Sequence, residues 1–164
     1  MKKWIVVILL LLALDQVSKY LVAVNNVNIA LIEDVLHITY VRNTGMVFGF
    51  FQGATSEYYL LLAAFAALAL GIFITLFIKN DFKDKRTKWY ALALSLLIAG
   101  TLGNAIDRLF QPDHGVIDFI DFQALGSLWT YIFNFADVYL NIGLVLLFID
   151  VFFLEHKRKK NNYE

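Results

Sequence analysis

The chain of 164 residues contains no cysteine. Disulfides, thiolate nucleophiles and cysteine metal sites are therefore excluded. Histidine is scarce and dispersed: His37, His114 and His156 sit in no recognisable motif with Ser18, Ser56, Ser95 or Ser127. That argues against a serine nucleophile and a histidine metal site. Basic residues are missing from the stretches 25–57 and 110–131, except for Arg42. Internal repeats and low-complexity tracts are also lacking, so the chain reads as one domain, residues 1–164.

Apolar residues, by contrast, make up 60% of the sequence, and mean hydropathy is +0.65. An ordinary soluble domain is less apolar. Four runs reach the roughly 20 residues that span a bilayer, at about 4–24, 58–78, 89–109 and 132–154. The expected fold is an all-α integral membrane protein of four transmembrane helices. The zero net charge hides strong segregation. Lys2 and Lys3 precede the first run, Lys79, Lys83, Lys85, Arg86 and Lys88 separate the second and third, and Lys157, Arg158, Lys159 and Lys160 form the tail. By the positive-inside rule, these segments and both termini are cytoplasmic, and the loops 25–57 and 110–131 are external. The first run opens like a signal peptide but leads into Asp15 without a small-residue cleavage site, so it is expected to stay as a helix. The β-branched and aromatic alternation of 36–41 predicts a small external β element between helices one and two.

Polar clusters interrupt the apolar chain: DQVSK (15–19), RNTG (42–45), GNAIDR (103–108), GVID (115–118) and NFAD (134–137). Polar groups at membrane depth are costly, which makes each a candidate for function. Chain direction sends all of them to the outer interface. Asn104 shares a helix face with Arg108 and lies close to Asp107, and Asn134, Asp137 and Asn141 align in the same way on the fourth run. Ala99, Gly100 and Gly103 would let a neighbouring helix approach the third. The expectation is an outward-opening polar cavity between spans three and four. Two close carboxylates, Asp118 and Asp137, could share one proton and activate water, with Asn104, Asn134 and Arg108 holding them and the substrate backbone. Blander roles stand beside this. Asp15 and Lys19 can neutralise each other at (i, i+4), and Asp107 can serve a structural ion pair. Asp118 can be a solvated loop acid like Glu33, Asp34 and Asp113, and Asp150 an interfacial residue. A proton-coupled transporter and a non-catalytic assembly factor are the rival functions. The transporter is disfavoured because the acids gather at one interface.

In order and topology, the motifs resemble those of lipoprotein signal peptidase (signal peptidase II). DQVSK resembles the family's first box, with Asp15 and Lys19. RNTGMVFGF resembles the second, with Arg42, Asn43, Gly45 and Phe48, although Met46 and Val47 stand where the family usually has alanines. AGTLGNAIDR resembles the third, with Gly100, Gly103, Asn104, Asp107 and Arg108. GVIDFIDF and FNFADV resemble the segments that carry the two catalytic aspartates. The resemblance selects Asp118 over Asp121 and pairs it with Asp137. It assigns supporting or substrate-binding roles to Asn43, Gly45, Asn104, Arg108 and Asn134, and structural polar roles to Asp15, Lys19 and Asp107. It implies an aspartic endopeptidase of the bacterial cytoplasmic membrane, active near the outer face. The substrate would be a diacylglyceryl-modified prolipoprotein, cut just before the lipidated cysteine. Globomycin-like inhibitors and membrane lipids are the other expected ligands. No metal, organic cofactor or nucleic acid is expected, and a monomer suffices.

Overall fold

The computed structural model describes residues 1–44, 56–122 and 131–155, with side chains throughout these except in 56–60. The elements run α1 (Lys2–Val24), β1 (Asn28–Ile32), β2 (Leu36–Asn43), α2 (Ser56–Lys79), α3 (Lys88–Phe110), β3 (Val116–Phe122), β4 (Ile132–Phe133) and α4 (Phe135–Ile149). A π-helical turn, Asp150–Leu154, continues α4. Among the described residues, four helical stretches are long and apolar enough to cross a membrane: Lys2–Val24, Leu61–Lys79, Lys85–Phe110 and Phe135–Leu154.

In α1 the usual arrangement of a soluble helix is inverted. Leu9, Leu10, Leu14 and Val17 are exposed, whereas Ile8, Asp15, Lys19 and Val22 are buried on one face. Hydrocarbon solvates leucine as well as a protein core does, so the lipid takes the apolar face and the protein interior keeps the polar one. Helix α3 is the central element, packing against α1, α2 and α4. Small residues set the distances from α3 to α4 and to α1. A Cβ on Gly100 would come within 2.6 Å of the Ala136 carbonyl oxygen, and one on Gly103 within 2.5 Å of Asp15 Oδ2.

The strands form one antiparallel sheet in the order β1-β2-β3-β4. The β element expected between the first two helices is present as β1 and β2, and the second long loop extends it with β3 and β4. The sheet packs where α1 and α3 end and α4 begins. Asn26 and Asp34, at φ 45° and 57°, turn the chain before β1 and between β1 and β2, a left-handed conformation that Asn and Asp tolerate well. The fourth span starts later than hydropathy predicts. Ile132 and Phe133 pair with Asp121 and Ile120 of β3 and are strand, not helix.

Candidate active site

The start of α4, the end of α3, two strands and three asparagines assemble the candidate site. Asn134 is the N-cap of α4, and with Asp137 it forms a capping box. Its Oδ1 accepts from the Asp137 backbone N–H at 3.0 Å, while Asp137 Oδ2 accepts from the Asn134 N–H at 3.2 Å. The box satisfies donors that a helix start leaves open and fixes Asp137 in the first turn. Asn134 Nδ2 is then free to donate across to β3, reaching Asp118 Oδ1 at 2.6 Å. From β2, Asn43 Nδ2 donates to Asp118 Oδ2 at 2.8 Å. From α3, Asn104 Nδ2 donates to Asp137 Oδ1 at 2.8 Å. Each carboxylate thus accepts from two protein donors, and the Asn134–Asp137 box links the two acids.

The pleat of β3 separates its two acids. Asp118 and Asp121 are three residues apart, so their side chains leave opposite faces. Asp118 turns into the protein and is 2% exposed; Asp121 is half-buried. Burial drives the Asp118 carboxyl up to about 7, and the negative charge of Asp137 adds to the rise. The hydrogen bonds from Asn43 and Asn134 and the charge of Lys19 act the other way. Arg108, on α3, feels the charges of Asp137, Asp118 and Asp107.

Behind the acids lies a buried ionic cluster. Lys19 Nζ sits 2.9 Å from Asp15 Oδ2, 3.0 Å from Asp107 Oδ2 and 3.1 Å from Asn104 Oδ1. Asp15 also accepts from the Ala136 N–H at 2.9 Å, capping α4 from a different helix. Asp107 Oδ2 accepts from the Ile117 N–H at 3.1 Å, tying α3 to β3 beside Asp118. The cluster is therefore more than an (i, i+4) pair within α1, and α1 and the sheet complete a site that sequence spacing drew between α3 and α4 alone.

Several sequence expectations change. Gly45, Met46, Val47 and Phe48 lie outside the described residues. Asn141 is exposed on α4 and donates to the Asp137 carbonyl oxygen, not into the cluster. Asp113 is an exposed loop acid, as expected, but it is not unpartnered. It pairs with Arg42, which also donates to Gln111 Oε1 at 2.8 Å. This clamp fastens the α3–β3 turn to β2 next to Asn43, and Arg42 holds the Asp113 carboxyl below its ordinary range. The clue was Arg42 itself, the lone basic residue of both long loops. Asp150, at the end of α4, is 1% exposed and so lies inside the protein. Gln16 was passed over entirely, yet its Nε2 lies 3.1 Å from Asp15 Oδ2 and 3.2 Å from the Gly103 carbonyl oxygen. Its place on the buried face beside Asp15 was the only signal.

Comparison with known proteins decides the family. A profile described as Signal peptidase (SPase) II matches residues 7–153. The chain belongs to the signal peptidase II family. Relatives named lipoprotein signal peptidase include that of Fusobacterium nucleatum subsp. nucleatum, 36% identical over 95% of this chain and 90% of the relative. That of Borreliella afzelii is 38% identical over 92% and 89%, and that of Clostridioides difficile 35% over 95% and 99%. Two solved bacterial membrane enzymes share the fold at 31% identity. One, at 2.3 Å resolution, gives a TM-score of 0.76 over 92% of this chain and 88% of that one. The other, at 1.9 Å, gives 0.75 over 93% and 94%. As a signal peptidase II family member with four bilayer-length helices, the protein is a multi-pass bacterial membrane peptidase.

Proposed function

We infer that the protein removes signal peptides from diacylglyceryl-modified bacterial prolipoproteins, with Asp118 and Asp137 as its catalytic pair. The observation that carries this is the arrangement of the two acids. They come from β3 and α4, both are held by asparagine amides, and Asp118 carries a carboxyl raised to about 7. A carboxyl that titrates near neutrality lets the pair share one proton, and in the reaction Asp118 acts as the acid and Asp137 as the base. Asp137 takes a proton from a water whose oxygen attacks the carbonyl carbon before the lipidated cysteine. Asp118 gives its proton to the carbonyl oxygen. When the tetrahedral intermediate collapses, the C–N bond breaks. The amine takes the proton held by Asp137, and the new carboxyl returns one to Asp118. Arg108 and Asn43 line the acids and suit binding of the substrate backbone.

Depth suits a lipid-bearing substrate. Asp137 is three residues past the cap of α4, about 4.5 Å along the helix. With the basic loop and termini cytoplasmic, that level is the outer interface, where acyl chains anchored in the leaflet hold the scissile bond. The sheet lies beside it and can guide the peptide. A single domain acting as a monomer meets these requirements, and globomycin-like cyclic peptides would compete for the same acids. The test is incubation of purified protein with a diacylated prolipoprotein, reading release of the signal peptide. No release, or equal release from an unlipidated precursor, overturns the reading.

A further inference from the structure

The proton-sharing chemistry needs both asparagine amides turned the right way. An asparagine side chain has an oxygen and a nitrogen of nearly equal size, so only its partners decide which end faces where. For Asn134, the Asp137 backbone N–H can only donate, so Oδ1 must face it and Nδ2 must face Asp118. For Asn104, Oδ1 accepts from the Lys19 ammonium at 3.1 Å and from Asn134 Nδ2 at 3.2 Å, and the ammonium is the charged donor of the two. An ammonium has three donors and no acceptor. Two of the Lys19 donors meet Asp15 and Asp107, and the third meets Asn104. Lys19 is 1% exposed and Asp15 0%, so the ammonium is sealed from water, and Asn104 is half-buried beside it. Were Asn104 to flip, its NH2 would face the ammonium and its oxygen would face the Asp137 carboxylate. Both contacts would be repulsive.

We propose that Lys19 is a positioning residue for the reaction: it locks the Asn104 amide so that Nδ2 holds Asp137 in place against Asp118. The inference rests on Asp118 and Asp137 being the catalytic pair. Lys19 has its hydrogen bond to Asn104, and its positioning role runs through that amide, beside the direct pull of its charge on Asp118. Asp15 and Asp107 fix the ammonium in turn, and Asp107 also holds the Ile117 amide next to Asp118. The ionic cluster thereby sets the geometry of both acids at once.

Lys19→Met alone strands two buried carboxylates and can unfold the protein. The informative variant is Lys19→Met/Asp107→Asn. It leaves the cluster's net charge unchanged, and Asn at position 107 can keep its oxygen on the Ile117 amide. The expected result is a folded protein with unchanged KM and a kcat lowered about 10- to 100-fold, the scale for outer partners that orient reacting groups. Wild-type kcat overturns the proposal. So does a loss of kcat matched by a change in KM or in melting temperature. If the double variant does not fold, hydrogen exchange of side-chain amides in wild-type protein carrying isotope-labelled asparagine decides. Exchange at Asn104 much slower than at the exposed Asn28 supports the lock, and equal rates overturn it. Asp137→Asn runs in parallel. Normal turnover there removes the catalytic pair and this inference together. A dead Asp137→Asn beside a fully active double variant removes only the role of Lys19.

Discussion

Asn134 joins two functions that different substitutions can separate. Its Oδ1 caps α4 at the Asp137 N–H, and its Nδ2 reaches Asp118. Serine is about as good an N-cap as asparagine but offers no amide donor at that reach. Asn134→Ser should therefore keep the helix and lose the bond to Asp118. Asn134→Ala should lose both. The cap contributes about 1 kcal/mol, which in a chain of this size is about 2–4 °C of melting temperature. Alanine should melt lower than serine by that amount. Both should show kcat reduced about 10- to 100-fold, since an orienting partner of a reacting acid is gone. The pH dependence gives a second reading. The Asn134 bond lowers the Asp118 carboxyl from where burial would put it, so its loss pushes that carboxyl above about 7. Where Asp118 must be protonated to act, the alkaline limb of kcat moves to higher pH in both variants. The assays are peptide release against pH and thermal unfolding in the same detergent. Equal melting of the serine and alanine variants would refute the cap. Wild-type kcat and an unmoved limb in Asn134→Ser would refute the part played by its amide.

Asp118→Asn and Asp137→Asn should each abolish prolipoprotein cleavage in folded protein, whereas Asp121→Asn should keep it; the reverse pattern for the two acids of β3 would show that the wrong one was chosen. An acid raised from 3.8 to about 7 by folding destabilises the folded state progressively as pH climbs between those values; Asp118→Asn should therefore flatten the fall in melting temperature over that window, and an unchanged slope would count against the raised carboxyl. Gly100→Ala places a Cβ 2.6 Å from the Ala136 carbonyl oxygen and 2.8 Å from Leu140 Cγ, so α4 must shift at a cost of about 1–3 kcal/mol. Gly71→Ala, with nothing within 4 Å, should unfold no earlier than wild type, and the two variants compared by thermal unfolding check the packing.

Spans and sheet differ in how far sequence betrays them. The four helices were legible because hydropathy over 18 or more residues is a strong signal, and β2 because alternation at 36–41 is strand-like. The start of the fourth span was misjudged because Ile132 and Phe133 are as apolar as the helix they precede, and hydropathy does not distinguish strand from helix in so short a run. The correct boundary was nevertheless written in the chain. Asn134, followed three residues later by an acid and then by an apolar run, is a capping signature. Reading it as a cap instead of only as a site residue places α4 where the structure has it. The role of Arg42 was hidden for another reason. Its partners, Gln111 and Asp113, lie on a turn about 70 residues away, and only the pairing of β2 with β3 brings them together.

Burial in this protein runs against the rule that serves for soluble domains. Hydrophobic periodicity cannot mark the buried face of α1, because its leucines face lipid and its interior face carries Asp15 and Lys19. In such a chain the polar residues are the better guide to the interior, and they located the cluster before any distance was known. What they could not supply is the direction of each hydrogen bond. Whether Asn104 offers its oxygen or its nitrogen to Asp137 depends on a lysine 85 residues away in sequence and an asparagine 30 away, and whether Asp118 or Asp121 turns inward depends on the strand's pleat. The polar residues of the cluster are thus readable as a set from composition and topology, whereas the choice of Asp118 over Asp121 rests on the family resemblance. Their protonation and orientation belong to the assembled structure, where the Lys19 ammonium, with Asn134 Nδ2 beside it, sets how the neighbouring amide must point.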